Sequence, residues 1–124
     1  QNETDYSDLI SEVLSYFGDK VEQFAKFGIK DVIIDPGFGF AKTSAQNFEL
    51  LRHLSSLKGL GLPILAGISR KSMIYKTLDI SANEALNGTT ALNMYALLQG
   101  AAILRVHDVK EAKETIQLFE QLYP

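Results

Sequence analysis

The segment Asp35-Pro36-Gly37-Phe38-Gly39-Phe40 decides the fold of this chain. It follows the run Val32-Ile33-Ile34, which is short and uniformly apolar, as is typical of a strand buried on both faces. A carboxylate stands where that strand ends, and two glycines then alternate with two aromatic residues. A stable loop has no need of this composition, whereas a site for a flat, polar ligand does.

The same order of strand, loop and helix recurs twice further along the chain. Strands two and three are predicted at Ile64-Leu65-Ala66 and Ala102-Ile103-Leu104. Strands that alternate with helices form parallel sheets with right-handed crossovers. The sequence therefore predicts an α/β fold with three parallel strands, of either the doubly wound type or the (β/α)8 barrel type. Three strands are few for either architecture.

Helices are predicted from the three-and-four spacing of apolar residues and from capping residues. Ser81 with Glu84 forms a capping-box pattern, and Asp108 with Glu111 forms a similar pair. In the last helix, the residues expected to be buried are Val109, Ala112, Ile116, Phe119 and Leu122. The predicted helices run from Ser7 to Phe27, from Thr43 or Ser44 to Gly59, from Arg70 to Leu78, from Ser81 to Gly100 and from Asp108 to Leu122.

Composition excludes several classes of protein. Hydrophobic residues make up 46% of the 124 positions, which predicts one packed domain. A net charge of -3 argues against a nucleic-acid or anionic-membrane partner. No apolar run approaches the ~18 residues of a membrane span. The absence of cysteine excludes thiolate metal sites and fits a reducing compartment, so we expect a cytoplasmic protein. The chain begins at Gln1, and we expect it to be a piece of a longer protein.

Polar residues collect where the three strands end. In parallel α/β folds these ends share one face, which carries the active site. One carboxylate among several cationic groups suits an anionic substrate with a polar head, because lysine and arginine neutralise phosphate or carboxylate oxygens. The carboxylate would accept from a ring N–H or an amino group. The residues at the strand ends are Asp35 after strand one, Ser69, Arg70 and Lys71 after strand two, and Arg105 and His107 after strand three.

Each of these residues also has a purely structural interpretation. Asp35 could cap its own loop, whereas Phe38 and Phe40 are expected to belong to the core more than to form a platform for a ligand. The Arg70–Lys71 pair could be a solvated helix start, and the ring of His107 could bind a backbone carbonyl. Their joint placement at three successive strand ends favours a ligand site over these alternatives.

Three segments resemble, in order and spacing, signature segments of the dihydropteroate synthase family. They are Asp35–Phe40, Gly67-Ile68-Ser69-Arg70-Lys71-Ser72 and Arg105-Val106-His107-Asp108-Val109. The resemblance extends through nearly the whole chain. It implies that residues 1–124 form a single partial domain, the C-terminal half of a (β/α)8 TIM-type barrel. The three strands would then be strands six, seven and eight of that barrel.

The resemblance also implies an activity. The family joins 6-hydroxymethyl-7,8-dihydropterin diphosphate to p-aminobenzoate, giving 7,8-dihydropteroate and diphosphate in folate biosynthesis. Asp35 and Lys71 would hydrogen-bond the pterin ring. Arg105 would lie against the pterin face and, with His107, reach the diphosphate. Sulfonamides would compete with p-aminobenzoate.

The resemblance implies a p-aminobenzoate pocket formed with Gly39, Phe40 and Ser69. It implies Mg²⁺ as cofactor, which would stabilise the leaving diphosphate and take its ligand from the missing N-terminal half. Asp35, Lys71, Arg105 and His107 are the predicted catalytic residues. The predicted substrate-binding residues are Asp35, Gly39, Phe40, Gly67, Ser69, Arg70, Lys71, Arg105, Val106 and His107.

Truncation is the departure from the family pattern, so we expect this chain alone to be inactive. Half a barrel leaves apolar strand faces and strand edges uncovered, and we expect it to form a homodimer or to self-associate. At about 25 cal/mol per Å², a few hundred Å² of covered apolar surface would contribute several kcal/mol to association. Two further hypotheses are a pterin-binding methyltransferase domain of the same superfamily and a non-catalytic half-barrel that serves as an assembly module.

Overall fold

A computed structural model describes residues 3–39 and 42–124, with side chains from residue 8 onward. Phe40, predicted to border the p-aminobenzoate pocket, lies outside the described residues. Two short 3₁₀ helices occur, at Leu54–Leu60 and Ala82–Glu84. The remaining elements are the helices α1 (Glu3–Lys26), α2 (Ser44–Arg52), α3 (Ser72–Leu78), α4 (Leu86–Leu98) and α5 (Val109–Leu122), and the strands β1 (Leu65–Ala66) and β2 (Ile103–Leu104).

The sheet is parallel, as predicted, but it has two strands instead of three. In β1 and β2, Leu65 lies opposite Ile103 and Ala66 opposite Leu104. The predicted first strand contributes only an isolated parallel bridge between Ile34 and Ile64. Ile33 is 54% exposed, so burial of the kind expected for a central strand is reached only at Ile34. The three segments nevertheless lie side by side in chain order, because β1 pairs with both neighbours.

Two of the predicted caps form and one does not. Thr43 and Gln46 make a reciprocal capping box at the start of α2. Ser81 and Glu84 make the predicted box, although it opens the 3₁₀ turn and α4 begins only at Leu86. The side chain of Asp108 does not cap α5, contrary to the prediction, because both of its carboxylate oxygens accept hydrogen bonds from an arginine.

The core lies around the sheet and includes the aromatic residue of the Gly-rich loop. Phe38 is completely buried, so its structural interpretation is confirmed. Side chains from α1, among them Val13 and Phe17, pack against the core from outside. The buried cluster consists of Ile34, Phe38, Leu50, Leu51, Leu54, Leu57, Ile64, Ala66, Ile68, Met73, Ile74, Ala85, Ala96 and Ala101.

The last helix leaves much of its apolar face uncovered. Ala112 is buried as predicted, but Val109 and Leu122 are 60% and 64% exposed, contrary to the prediction. The helix packs mainly on α4, which covers only one side of it. In the part of the chain that the structure describes, no helix combines the length and the apolar character needed to cross a membrane.

Replacing Phe38 by alanine is expected to destabilise the chain by about 3–5 kcal/mol, because the fully buried ring leaves a cavity. Phe27→Ala is the matched control: its ring is 82% exposed, so the expected change is within about 0.5 kcal/mol. Urea unfolding followed by circular dichroism measures both. Equal losses in the two variants would contradict the assignment of Phe38 to the core.

Candidate active site

An ion pair joins the ends of the first and third predicted strands. Arg105 Nη1 donates to Asp35 Oδ2 at 2.6 Å, across 70 positions of sequence. The two side chains are 50% and 36% exposed, so the pair is open to solvent. Asp35 Oδ1 accepts from the N–H of Gly37 at 3.0 Å. Asp35 thus caps its own loop and takes part in the site at the same time, because the two roles use different oxygens.

Lys71 reaches back onto the Gly-rich loop. Its Nζ donates to the carbonyl of Phe38 at 2.8 Å, and its stem crosses Gly39. A Cβ at Gly39 would lie 3.1 Å from Lys71 Cδ, and the backbone there has φ +91°, a conformation that side chains disfavour. Glycine at position 39 therefore allows both the turn and the close approach of the lysine.

Asn47 holds this loop and was not predicted from the sequence. Its Oδ1 accepts from the N–H of Gly39 at 2.9 Å, and its side chain is almost fully buried. Its Nδ2 donates to the carbonyl of Thr43 at 3.1 Å. An asparagine on the inward side of a helix that follows a Gly-rich loop is the sequence signal that would have indicated this role.

Gly67 makes room for the guanidinium of Arg105. A Cβ at Gly67 would lie 2.7 Å from Arg105 Cζ and closer still to Nη2. Any larger residue at position 67 would therefore displace the guanidinium. Gly67 therefore permits the close approach of Arg105, and its role in substrate binding stays a prediction.

Ser69 and His107 form a hydrogen-bonded pair. Ser69 Oγ lies 2.7 Å from His107 Nδ1 and accepts from the backbone N–H of His107 at 3.1 Å. The serine hydroxyl donates to Nδ1 when the neutral imidazole carries its proton on Nε2, and it accepts from Nδ1–H in the other neutral tautomer. The ring bonds a side-chain hydroxyl, not the backbone carbonyl of the structural alternative.

Six of the predicted residues line one cavity of about 130 Å³. Two of them are cationic and one is histidine, a lining suited to an anion. The cavity is smaller than the roughly 300–1,000 Å³ of typical ligand sites. The lining residues are Gly67, Ser69, Lys71, Arg105, Val106 and His107.

Asp35 faces a different space. It lines a cavity of about 600 Å³ between α1 and the Gly-rich loop, together with Glu12, Tyr16 and Lys42 among others. The ion pair with Arg105 connects it to the smaller, cationic cavity. The structure thus brings Lys71, Arg105 and His107 around one cavity and sets Asp35 at its edge.

Arg70 is predicted to bind substrate, but its guanidinium is engaged by other groups of the protein. Nε and Nη2 donate to the two oxygens of Asp108 at 2.9 and 3.1 Å. Nη1 donates to the carbonyls of Ala82 and Asn83 at 2.7 and 2.8 Å. Its binding role stays a prediction, whereas Asp108 is a partner that the sequence pattern had assigned to a helix cap.

The ion pair between Arg70 and Asp108 favours the charged form of both side chains. The hydrogen bonds from Arg70 lower the pKa of Asp108, against a smaller opposing effect of desolvation. The hydrogen bond to Asp108 likewise raises the pKa of Arg70. Both groups are therefore held in their charged forms around neutral pH.

The described residues show no cluster of metal ligands. Within the ranges 3–39 and 42–124, no three side chains of His, Cys, Asp or Glu are grouped so that they could hold a metal ion. The described residues therefore do not provide a Mg²⁺ site by themselves.

Fold and site together define a class: an α/β domain whose parallel strands end in an anion-binding wall beside a carboxylate. Comparison with known proteins narrows this class. The sequence profile of the family described as pterin binding enzyme matches residues 1–107. The chain belongs to the pterin-binding enzyme family.

Individual relatives agree with this assignment. The chain is 41% identical to the dihydropteroate synthase of Escherichia coli K12 over 117 residues, 93% of this chain and 42% of that protein. It is 44% identical to the Synechocystis enzyme over 126 residues, 99% of this chain and 44% of that protein. A Yersinia pestis dihydropteroate synthase structure with a pterine-sulfa conjugate superposes with a TM-score of 0.89 at 40% identity, covering 92% of this chain and 46% of the other. The chain spans less than half the length of these relatives.

The pair of Arg70 and Asp108 is expected to make folding stability depend on pH. Because the folded-state pKa of Asp108 is lowered, its contribution is present above about pH 4, the ordinary range of aspartate, and is lost as pH falls through the folded-state value. Asp108→Asn should therefore lower the urea midpoint at pH 7, and the difference from the unmodified chain should shrink towards pH 2.

Arg70→Gln removes the same pair and also the hydrogen bonds to the carbonyls of Ala82 and Asn83. The pH-dependent part of its effect should equal that of Asp108→Asn, and adding Asp108→Asn to Arg70→Gln should cause no further loss. A difference between Asp108→Asn and the unmodified chain that stays constant from pH 7 to pH 2 would contradict this account.

Proposed function

We propose that the protein to which this chain belongs is a dihydropteroate synthase. It would join 6-hydroxymethyl-7,8-dihydropterin diphosphate to p-aminobenzoate and release diphosphate, a transferase reaction of folate biosynthesis. The observation that carries the proposal is the cationic cavity, because all six of its lining residues lie in two of the three segments that resemble the family. The identities of 41% and 44% to curated dihydropteroate synthases support it.

In the proposed reaction, the bond between the pterin methylene carbon and the diphosphate oxygen breaks, and its electron pair leaves with the diphosphate. Negative charge grows on that oxygen, where Arg105 and the Nε2–H of His107 stabilise it. The lone pair of the p-aminobenzoate nitrogen forms the new bond to the methylene carbon, and the nitrogen then passes its proton to solvent water. An aromatic amine is already nucleophilic, so no covalent protein intermediate is required.

The pterin ring would be held by Asp35 and Lys71. The carboxylate accepts from ring N–H and amino groups, and it stabilises positive charge on the methylene as the leaving group departs. Its pair with Arg105 is solvent-exposed, so a ring that enters between them gains the interactions of both groups without breaking a buried contact.

The p-aminobenzoate would lie nearer Ser69, Gly39 and Phe40. Ser69 is 96% buried and directly precedes the turn into α3, where backbone N–H groups can meet a carboxylate. Sulfonamides would compete for this place. The Yersinia pestis enzyme, crystallised with a pterine-sulfa conjugate, supports that part of the proposal.

We also propose that residues 1–124 are one partial domain, strands six to eight of a (β/α)8 barrel. The single bridge at Ile34 and the exposure of Ile33 suit a strand whose other neighbour lies outside this chain. We further propose that the protein uses Mg²⁺, with the metal ligand supplied by the rest of the protein. We also propose that it is cytoplasmic. The methyltransferase and assembly-module hypotheses are not favoured, since the curated relatives cited are dihydropteroate synthases.

The isolated chain is proposed to be inactive and to self-associate through its uncovered apolar residues, such as Ile33, Leu118 and Leu122. Light scattering over a hundredfold concentration range tests this. A monomer at every concentration would refute it.

A chimera tests the activity. This chain would replace the matching 117-residue segment of the Escherichia coli enzyme, and diphosphate release would be measured. We expect an active chimera in which Lys71→Ala or Arg105→Ala lowers kcat/KM by about 100-fold or more, since each removes a charge next to the reacting groups. Lys113→Ala, at an exposed position of α5, is the control and should retain activity. Full activity in either site variant would refute the assignment.

Gly67→Ala in the same chimera tests whether the position of the Arg105 guanidinium matters in addition to its charge. The added methyl group would push the guanidinium of Arg105 aside while leaving its charge in place. We expect a roughly 10- to 100-fold loss in kcat/KM, as for other small misplacements of a catalytic group. Gly59→Ala is the matched control, because a Cβ there meets nothing within 4 Å. Equal activity in the two variants would refute the placement of Arg105.

A further inference from the structure

Arg70 adopts a backbone conformation that few residues other than glycine tolerate. Its φ is +54°, in the left-handed region. The backbone N–H donates to Thr89 Oγ1 at 3.0 Å, and Thr89 is 98% buried in α4. A conformation of this kind persists only where surrounding contacts impose it, and its occurrence next to a binding pocket points to a functional constraint.

The Arg70 side chain fastens three segments together. Four N–H groups of its guanidinium donate to four oxygens, two on Asp108 and one each on Ala82 and Asn83. The planar guanidinium matches the carboxylate with two parallel hydrogen bonds, which fixes direction as well as distance. The loop after β1, the loop after β2 and the turn before α4 are thereby held at fixed separations.

The residues held in this way are the immediate neighbours of the pocket pair. Ser69 precedes Arg70, and His107 precedes Asp108. The ion pair therefore runs beside the hydrogen bond of 2.7 Å between Ser69 Oγ and His107 Nδ1. A separation of the two loops by about 1 Å would stretch that bond beyond the range of useful hydrogen bonding. The ring could then turn or exchange its tautomer.

We propose that Arg70 and Asp108 are positioning residues: they form a clamp that keeps His107 Nδ1 as the acceptor of the Ser69 hydroxyl, so that the ring presents an Nε2–H to the ligand. The proposal rests on the proposed function, because that function supplies the anionic leaving group which the Nε2–H would meet. Arg70 would then support Ser69 and His107, which line the pocket, and would not bind the substrate itself.

The state of His107 is observable without any substrate. In the 124-residue chain labelled with ¹⁵N-histidine, two-bond ¹H–¹⁵N spectra at pH 8 distinguish the two neutral tautomers. His53→Gln identifies which signals belong to His107. We expect the Nε2–H tautomer alone in the unmodified chain, and a mixture in Ser69→Ala, Asp108→Asn and Arg70→Lys.

Arg70→Lys is the decisive variant, because it preserves the charge and loses the two-pronged geometry. Thr43→Ala is the matched control. It removes the N-cap of α2, which lowers the stability of the chain, and it lies in neither the loop after β1 nor the loop after β2. It should leave the tautomer unchanged. A single Nε2–H tautomer in Asp108→Asn and Arg70→Lys would overturn the proposal.

Kinetics of the Escherichia coli chimera give a second measurement. Asp108→Asn should lower kcat/KM by about tenfold, as is common for groups that orient a reacting residue. Combined with Ser69→Ala, it should cause little additional loss, because both changes release the same imidazole. Effects that multiply would overturn the clamp. An inactive unmodified chimera alongside a fixed tautomer would instead count against the proposed function alone, so the two failures are distinguishable.

Discussion

Parallel pairing around β1 is the constraint on which the rest of the structure depends. Ile64 bridges to Ile34 on one side, and Leu65 pairs with Ile103 on the other. Because parallel strands point in one direction, the chain leaves all three segments at the same edge. Groups as far apart in sequence as Asp35 and Arg105 then come within 2.6 Å of each other. Without this pairing, the charged residues would be isolated side chains on three separate loops.

The site at this edge is built largely from close approaches that glycine permits. Lys71 crosses Gly39, and Arg105 lies over Gly67, so each long cationic side chain rests on a backbone without a Cβ. The chain therefore concentrates positive charge in a small cavity although its net charge is -3. The opposing carboxylate of Asp35 stands outside that cavity, joined to it through the guanidinium of Arg105. The cationic cavity and the carboxylate thus lie side by side.

Sequence patterns predicted correctly the residues whose role depends only on apolar character or on neighbouring backbone groups. Phe38, which is wholly apolar, is in the core, and the capping boxes at Thr43 and Ser81 form because they use only neighbouring backbone groups. Asp108 and Arg70 were assigned less well, since each can bond locally or at a distance and the distant partner lies 38 residues away. The extent of the first strand was also overestimated, because an apolar run does not show which neighbours are present to pair with it.

The sequence by itself determined the alternation of strands and helices, the three segments at the strand ends and the family to which the chain belongs. These features follow from periodicity and from residue types at fixed local spacing, which any piece of the chain retains. Only the tertiary structure decided which polar groups meet: that Ser69 bonds His107, that Arg70 is committed to Asp108, and that Asp35 lies at the edge of the cavity. The physical reason is that hydrogen bonds and ion pairs act over about 3 Å, so partners are chosen by the packing of distant segments.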